Sequence, residues 1–291
     1  MRVERYPDAQ SFLDRALPFL MASEAANHLL IGICSSLVSN PDLYGTQPYL
    51  AICWDSRIDS LAGVAIMTPP HNVIVSLGEG QGSGVIGALV DDLLDPGPPR
   101  FSVPGVLGAN LASQAFAESW QAKTGQAFRL TLAERIYKLE QVRPVEGVSG
   151  RLRRATVEDR DLLIHWMLGF GQDAFQAEQS LRQAEQTVDR RLNDPDSEFY
   201  FWLDPEPVSL VGYTGPTPNG MRVGPVYTPP EHRRHGYAAA CTAAVSRLLL
   251  DSGRAFCFLF TDLDNPTTNH IYPMVGYEPV VDFAEYKIAG G

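Results

Sequence analysis

The second half of the chain alternates short apolar runs with longer stretches of mixed polarity. The run 255–261 is apolar and aromatic throughout, which is typical of a strand buried on both faces of a sheet. The alanine-rich stretch 238–251 predicts a helix, and a final strand pair is expected within 277–288. Apolar runs of strand length occur at 198–203, 208–213, 221–228 and 255–261. Strands that alternate with helices in this way indicate an α/β architecture.

The first half repeats this pattern more faintly. Two helical stretches cover 10–38, and strands are predicted at 49–54, 60–67 and 73–77. The tetrapeptide Ser60-Leu-Ala-Gly is echoed by Ser209-Leu-Val-Gly, and a turn containing proline and a further strand follow each copy. The echo predicts one fold present twice, although an unrelated α/β domain in the first half would give a similar pattern.

The composition supports two folded domains. The 291 residues correspond to two domains of ordinary size, and 45% hydrophobic with 20% charged residues is typical of a globular protein. The stretch 141–150 carries Pro144, Gly147 and Gly150 without apolar periodicity and predicts a linker. The expected domains are therefore 1–145 and 150–291.

Charge and cysteine usage narrow the function classes. A net charge of -11 argues against a nucleic-acid-binding protein, which would carry a basic face. The four cysteines have no metal-ligand spacing, so free buried thiols are expected in preference to disulfides. No signal peptide and no apolar run long enough for a membrane span are visible, so we expect a cytoplasmic protein without a membrane partner.

A candidate anion site lies in the segment 226–238, where a strand, a tight loop and the start of a helix follow one another. Free backbone N–H groups and the helix dipole at such a position favour a negatively charged ligand, and Arg233 and Arg234 add positive charge. The segment lacks the G-x-x-x-x-G-K-[ST] pattern of a Walker loop and the G-x-G-x-x-G pattern of a Rossmann loop. The segment is therefore predicted to bind a diphosphate group, but not as a Walker loop or a Rossmann loop does.

Two motifs carry a resemblance to a known family. The spacing Arg233-x-x-Gly236-x-Ala238 resembles the [QR]-x-x-G-x-[GA] loop of the GNAT superfamily of acyl-CoA N-acyltransferases. Downstream, Asn265, Tyr272, Gly276 and Tyr277 fall on the matching positions of that family's signature N-x-x-[AS]-x-x-x-Y-x-x-x-G-[FY]. Pro273 departs from the pattern and predicts a shortened or kinked helix beside Tyr272. The resemblance covers residues from about 150 to 291 and implies the GNAT fold, a mixed and mostly antiparallel sheet flanked by helices, here present twice.

The resemblance also implies roles for individual residues. Acetyl-CoA would be the cosubstrate, without a metal, and Tyr272 would be the general acid that protonates the leaving thiolate. The backbone of Val226 and Thr228 would pair with the pantetheine arm, whose amide Asn265 would bind. The diphosphate would be held by Arg233, Arg234, His235, Gly236, Tyr237 and Ala238.

The general base is left open among Glu231, Glu198 and Asp262. His235 is expected to be a solvated loop residue rather than a base.

The function implied is transfer of an acetyl group from acetyl-CoA to a primary amine, by direct attack in a ternary complex. The acceptor would be a small-molecule amine or a protein or peptide amine. Two alternatives are a tandem acetyltransferase similar to mycothiol synthase and a non-catalytic acyl-CoA-binding module. In the first half, the loop 78–84 has glycines but no arginine and carries Glu79, so a degenerate GNAT-like domain that binds no coenzyme A is expected there. The sequence gives no indication of the oligomeric state.

Overall fold

The protein consists of two compact units. The structure, a computed structural model, describes residues 1–95, 97, 99–175 and 180–290, without the side chains of 174, 175 and 266–268. Unit 1 comprises Met1–Arg135 and Val281–Gly291, and unit 2 comprises Ile136–Val280. The last residues of the chain therefore group with unit 1, whereas the sequence pattern placed them in the domain 150–291. The reason is strand pairing, since Phe283 to Lys287 align with Ala109 to Gly105.

Along the chain, the elements follow the same order twice, β-α-α-β-β-β-α-β-α-β. In the first pass these are β1 (Arg2–Arg5), α1 (Ala9–Met21), α2 (Glu24–Ser39), β2 (Tyr49–Asp55), β3 (Ser60–Met67), β4 (Val73–Leu77), α3 (Ser83–Leu94), β5 (Gly105–Ala109), α4 (Asn110–Thr124) and β6 (Phe128–Leu139). In the second they are β7 (Arg151–Arg154), α5 (Arg160–Phe175), α6 (Leu181–Leu192), β8 (Glu198–Leu203), β9 (Pro207–Thr214), β10 (Gly220–Tyr227), α7 (Tyr237–Asp251), β11 (Phe256–Asp262), α8 (Pro266–Val275) and β12 (Glu278–Ile288). The expected repetition of one fold is confirmed.

The sheets are mostly antiparallel, as expected. In unit 1 the strand order is β1-β2-β3-β4-β5-β12, and in unit 2 it is β11-β10-β9-β8-β7. One parallel pair occurs at the equivalent place in each unit, β4 with β5 and β10 with β11. The mixed sheet flanked by helices confirms the predicted fold class.

The predicted strand pair within 277–288 is wrong, because β12 is a single strand. Asp282 lies within this strand. In the structure its carboxylate accepts hydrogen bonds from Arg135 at 2.6 and 2.9 Å, so the charge is satisfied within an extended strand. A charged residue with such a partner does not interrupt a strand.

Alternation along the strands of unit 2 builds two apolar layers. Tyr200 and Tyr213 face α7 and α8, whereas Phe199, Phe201 and Leu210 face α5 and α6. This period of two is what a sheet covered on both faces requires.

The four cysteines are buried and free, which confirms that expectation. Among the helices in the described ranges, none has the length and apolar character needed to cross a membrane.

Candidate functional site

The strand β10 changes its pairing halfway along its length. It pairs with β11 only from Gly220 to Arg222, and its register with β9 shifts between Val223 and Val226. Gly224 lies at this bulge with a φ of +148°, and Pro225 follows it. Proline has no N–H to donate to a ladder, and glycine tolerates the unusual φ, so this dipeptide favours a bulge. Beyond the bulge, β10 has no ladder partner on its β11 side among the described residues.

The loop after β10 presents unused backbone donors. Gly236 is the N-cap of α7, with a φ of +82°, and no side chain caps this helix. The N–H groups of Tyr237, Ala238 and Ala239 donate to no atom of the described residues, while that of Ala240 returns to Gly236 O at 3.0 Å. Such orphan donors at a helix start, together with the helix dipole, form an anion site.

The space above Gly236 is closed on one side. A Cβ atom at this position would lie 2.8 Å from Cγ2 of Val148, which comes from the segment before β7. Position 236 thus requires glycine for two reasons. The backbone has a left-handed φ, and Val148 leaves no room for a Cβ atom.

The two arginines of the loop have different surroundings. The guanidinium of Arg233 donates to Thr228 O at 3.0 Å and forms an ion pair with Asp173 of α5. Arg234 has a φ of +66° and forms no ion pair with the described residues. Arg233 therefore fastens the loop to β10 and α5, and Arg234 is the cation left available to an anion.

Other side chains of the predicted site are held by their neighbours. Thr228 Oγ1 lies 2.8 Å from Ser209 Oγ, and the ring of His235 stacks on Tyr237 with centroids 5.5 Å apart. The Tyr237 hydroxyl donates to Asp204 Oδ2 at 2.7 Å, and Asp204 also accepts from Ser149. These hydrogen bonds lower the pKa of Asp204 below its ordinary value. The side chain of Tyr237 is thus occupied, and its backbone N–H is the part that a ligand can use.

Tyr272 lies on α8 inside the apolar layer of unit 2, with 5% of its surface exposed. Its ring packs against those of Tyr137 and Tyr277, at centroid distances of 6.3 and 5.8 Å. Burial raises the pKa of the phenol well above its ordinary value, and the hydroxyl donates to no atom of the described residues. The phenol is therefore neutral at pH 7, as a proton donor must be, and is a weaker acid than an exposed tyrosine. Pro273 does not end the helix, since α8 continues to Val275.

Asn265 directly precedes α8, where its carbonyl accepts from Asn269 N at 3.2 Å. At the other end of the helix, Gly276 adopts a φ of +113°, and a Cβ atom there would lie 2.6 Å from Gln141 O. The Tyr277 hydroxyl shares a buried 2.8 Å hydrogen bond with Ser246 of α7. Gly276 and Tyr277 therefore hold α8 against its neighbours and do not take part in chemistry.

The candidate bases occupy different environments. Glu198 forms an ion pair with Arg154 at 2.5 Å and accepts a hydrogen bond from Tyr200, so its carboxylate is largely committed. Glu231 is exposed in the short turn Pro230–His232, and Asp262 accepts from Asp264 N at 2.8 Å. Across the residues that the structure describes, no group of three His, Cys, Asp or Glu side chains could hold a metal ion.

Sequence reasoning missed three residues that shape this site. Asp173, the partner of Arg233, and Val148, above Gly236, are distant in sequence and lie in no motif. Arg191 of α6 reaches the β10 bulge, although in the sequence it is one charge in a polar helix. No local signal marks them, because their roles depend on contacts across the fold.

Comparisons with known proteins relate part of the chain to a family. Residues 161–277 match the model of the acetyltransferase (GNAT) family. The mycothiol acetyltransferase of Rhodococcus opacus (strain B4) is 26% identical over 243 residues, which cover 77% of this chain and 78% of that protein.

Two solved structures also match almost the whole chain. The GCN5-related N-acetyltransferase from Sphaerobacter thermophilus is 15% identical, with a TM-score of 0.58 and coverage of 99% and 95% of the two chains. A tandem GNAT protein from the clavulanic acid biosynthesis pathway is 14% identical, with a TM-score of 0.55 and coverage of 100% and 99%. At these identities the likeness concerns the fold.

Proposed function

We propose, from the premise that this chain is an acyltransferase with a GNAT acetyltransferase domain at residues 161–277, that it transfers the acetyl group of acetyl-CoA to a primary amine. The proposal rests on the proximity of two features along the chain, a set of unused backbone donors and an open strand segment. The unused N–H donors at the start of α7 lie directly beyond the segment of β10 that has no ladder partner on its β11 side.

The residues of the loop fit a diphosphate. The N–H groups of Tyr237, Ala238 and Ala239 would donate to its oxygens, and Gly236 supplies the left-handed φ with which α7 starts. Arg234 would add a charge-assisted contact. Arg233 supports the loop through its bonds to Thr228 O and Asp173. It would therefore assist binding mainly by holding the loop in its conformation.

The open side of β10 fits an extended pantetheine arm. The backbone of Val226 and Thr228 would hydrogen-bond the arm as an added strand does, and Asn265 would bind one of its amides. Coenzyme A supplies the activated acyl group when bound, as a thioester. The chain's part is to align this group with the incoming amine and to exclude water from it.

Acyl transfer forms a carbon–nitrogen bond and breaks the carbon–sulfur bond of the thioester. Tyr272 would donate its phenolic proton to the departing sulfur, since the phenol is neutral at pH 7. The proton lost by the amine would pass to water or a carboxylate, with Glu231, Glu198 and Asp262 as the candidates. Direct attack of this kind needs no covalent intermediate on the protein.

The acceptor is a small-molecule amine or a protein or peptide amine. The net charge of -11 favours a cationic acceptor over an acidic one. The similarity to a mycothiol acetyltransferase over 243 residues supports a second candidate, namely the acceptor of that enzyme.

We further propose that the domain 150–291 carries the activity and that the first domain, 1–145, is a degenerate copy. In unit 1 the loop before α3 holds Glu79 and no arginine, so its charge opposes a diphosphate.

The test measures thiol release from acetyl-CoA over a panel of primary amines that includes the acceptor of mycothiol acetyltransferase. Tyr272→Phe should lower kcat by about 10²-fold to 10⁴-fold, the usual contribution of a general acid, with little change in the KM for acetyl-CoA. Tyr137→Phe is the matched control, since Tyr137 is a buried tyrosine in the same apolar layer and should retain activity.

Two results would count against the proposal. If acetyl-CoA at 100 times a micromolar Kd did not stabilise the protein by the expected ~2.7 kcal/mol, the site would not bind it. Tight binding without turnover of any amine would favour the non-catalytic acyl-CoA-binding module instead.

A further inference from the structure

Arg191 of α6 lies in the interior of unit 2 and has no carboxylate partner among the residues that the structure describes. Only 6% of its surface is exposed, and it forms no ion pair with the described residues. Burial lowers the pKa of its guanidinium to about 9, so the group is still a cation at neutral pH. A buried charge is unfavourable unless other groups compensate it, so its contacts indicate what it stabilises.

The guanidinium is compensated by dipoles and by an aromatic face. Its Nε donates to Ser197 Oγ at 2.9 Å, and its Nη2 donates to Tyr213 O at 2.8 Å and to Gly224 O at 3.1 Å. The group also lies over the ring of Phe199, 4.2 Å from the centroid. The two carbonyl acceptors belong to neighbouring strands, β9 and β10.

These carbonyls lie where the β9–β10 ladder is interrupted. Tyr213 pairs with Val223, and the register shifts directly after that pair. The next residue but one, Pro225, has no N–H, so β10 cannot supply a donor there. Arg191 provides donors that the strand lacks.

The fold also keeps room for this side chain. A Cβ atom at Gly212 of β9 would lie 2.6 Å from Arg191 Nη2, closer than real atoms approach. Any larger residue at this position would displace the guanidinium. The position of Arg191 is therefore determined by several elements together, as expected of a group with a defined role.

We infer that Arg191 is a positioning residue for acyl transfer, which fixes the bulge of β10 and thereby the direction in which the following backbone groups face the thioester. The inference rests on the proposed function and adds a residue that touches neither acetyl-CoA nor the acceptor. The segment affected is Gly224 to Thr228, where β10 has no partner on its β11 side within the described ranges. Loss of the guanidinium would let this segment return towards a regular strand or become mobile.

The experiment compares two ligands on Arg191→Met by calorimetry. Acetyl-CoA needs both the loop and the bulge, whereas 3′-phosphoadenosine 5′-diphosphate, which lacks the pantetheine arm, needs only the loop. We expect Arg191→Met to weaken acetyl-CoA binding about tenfold or more, with fragment binding within about twofold of wild type. Where an acceptor is turned over, kcat should fall about 10²-fold, as for a misplacement of about 1 Å at a reacting centre. Arg190→Met, which removes an exposed charge from the same helix, should change neither ligand.

Gly212→Ala is the second variant, since it displaces the guanidinium and retains the charge. It should reproduce the selective loss of acetyl-CoA binding. If Arg191→Met does not fold, this variant alone tests whether Arg191 is a positioning residue. Equal loss of both ligands would show a general structural role and overturn the inference. Wild-type affinity for acetyl-CoA in both variants would overturn it too, while leaving the proposed function intact. A wild-type protein that binds neither ligand would instead overturn the proposed function, and this inference with it.

Discussion

Gly236→Ala tests whether the loop before α7 is the diphosphate site. The residue has a φ of +82°, and its Cβ would lie 2.8 Å from Val148 Cγ2. The substitution therefore combines backbone strain with a steric conflict at the place where the free N–H donors begin. Gly253, at the other end of α7, has a φ of +100° and no atom within 4 Å of a Cβ. Gly253→Ala thus supplies the backbone strain alone, away from the loop.

The magnitudes follow from these two contributions. A left-handed conformation costs a residue with a Cβ about 1–2 kcal/mol, which is the loss of stability expected for Gly253→Ala. Gly236→Ala should lose a further ~1–3 kcal/mol, the usual range for an overpacked contact. Val148→Ala in the same chain should recover most of that further loss, because it removes the atom in conflict.

The effect on binding is separate from the effect on stability. A hydrogen bond to a charged group contributes about 1.5–3 kcal/mol, so one lost diphosphate contact corresponds to roughly 10-fold to 100-fold weaker binding. We expect that loss of acetyl-CoA affinity for Gly236→Ala and a change below about twofold for Gly253→Ala. Thermal unfolding and calorimetric titration of the three variants measure both quantities. If Gly236→Ala bound acetyl-CoA as tightly as Gly253→Ala, the loop would not be the diphosphate site and the reasoning would be refuted.

Two further predictions concern charge. Asp173→Asn should leave stability almost unchanged, because its ion pair with Arg233 is half exposed, and should weaken acetyl-CoA binding a few-fold, more so at low salt, because the contact that holds the loop to α5 is lost. Calorimetry at two salt concentrations checks this with Asp161→Asn as the control, and unchanged affinity would contradict it. The hydrogen bonds from Arg153 hold the pKa of Asp159 below its ordinary value, so their stabilisation is present above that ordinary pKa and is lost as the pH falls through the lower, folded-state pKa. Urea unfolding from pH 5 to pH 2 should therefore show a steeper loss for wild type than for Asp159→Asn, and parallel curves would exclude the effect.

The local sequence pattern was sufficient to predict most of the helices and strands. The strand β8 occupies 198–203 as expected, because four consecutive aromatic residues, 199–202, favour a strand and turn residues follow it. The helix α7 ends at Asp251 as predicted, since alanine and leucine favour it and Gly253 stops it. The end of the chain was misjudged for a different reason. A single strand across 278–288 includes the charged Asp282, whose partner Arg135 is remote in sequence.

The sequence by itself determined the family motifs, the repeated order of elements and the positions of the glycines and the proline that a loop and a bulge need. These features depend on backbone preferences and on spacing, which act over a few residues. Only the tertiary structure decided what each side chain does. It turned Arg233 towards Asp173 and left Arg234 available, placed Val148 above Gly236, and brought Arg191 to the carbonyls of the β10 bulge. The physical reason is that hydrogen bonds and packing act between atoms that folding brings together, and no local pattern records which distant residue will be the partner.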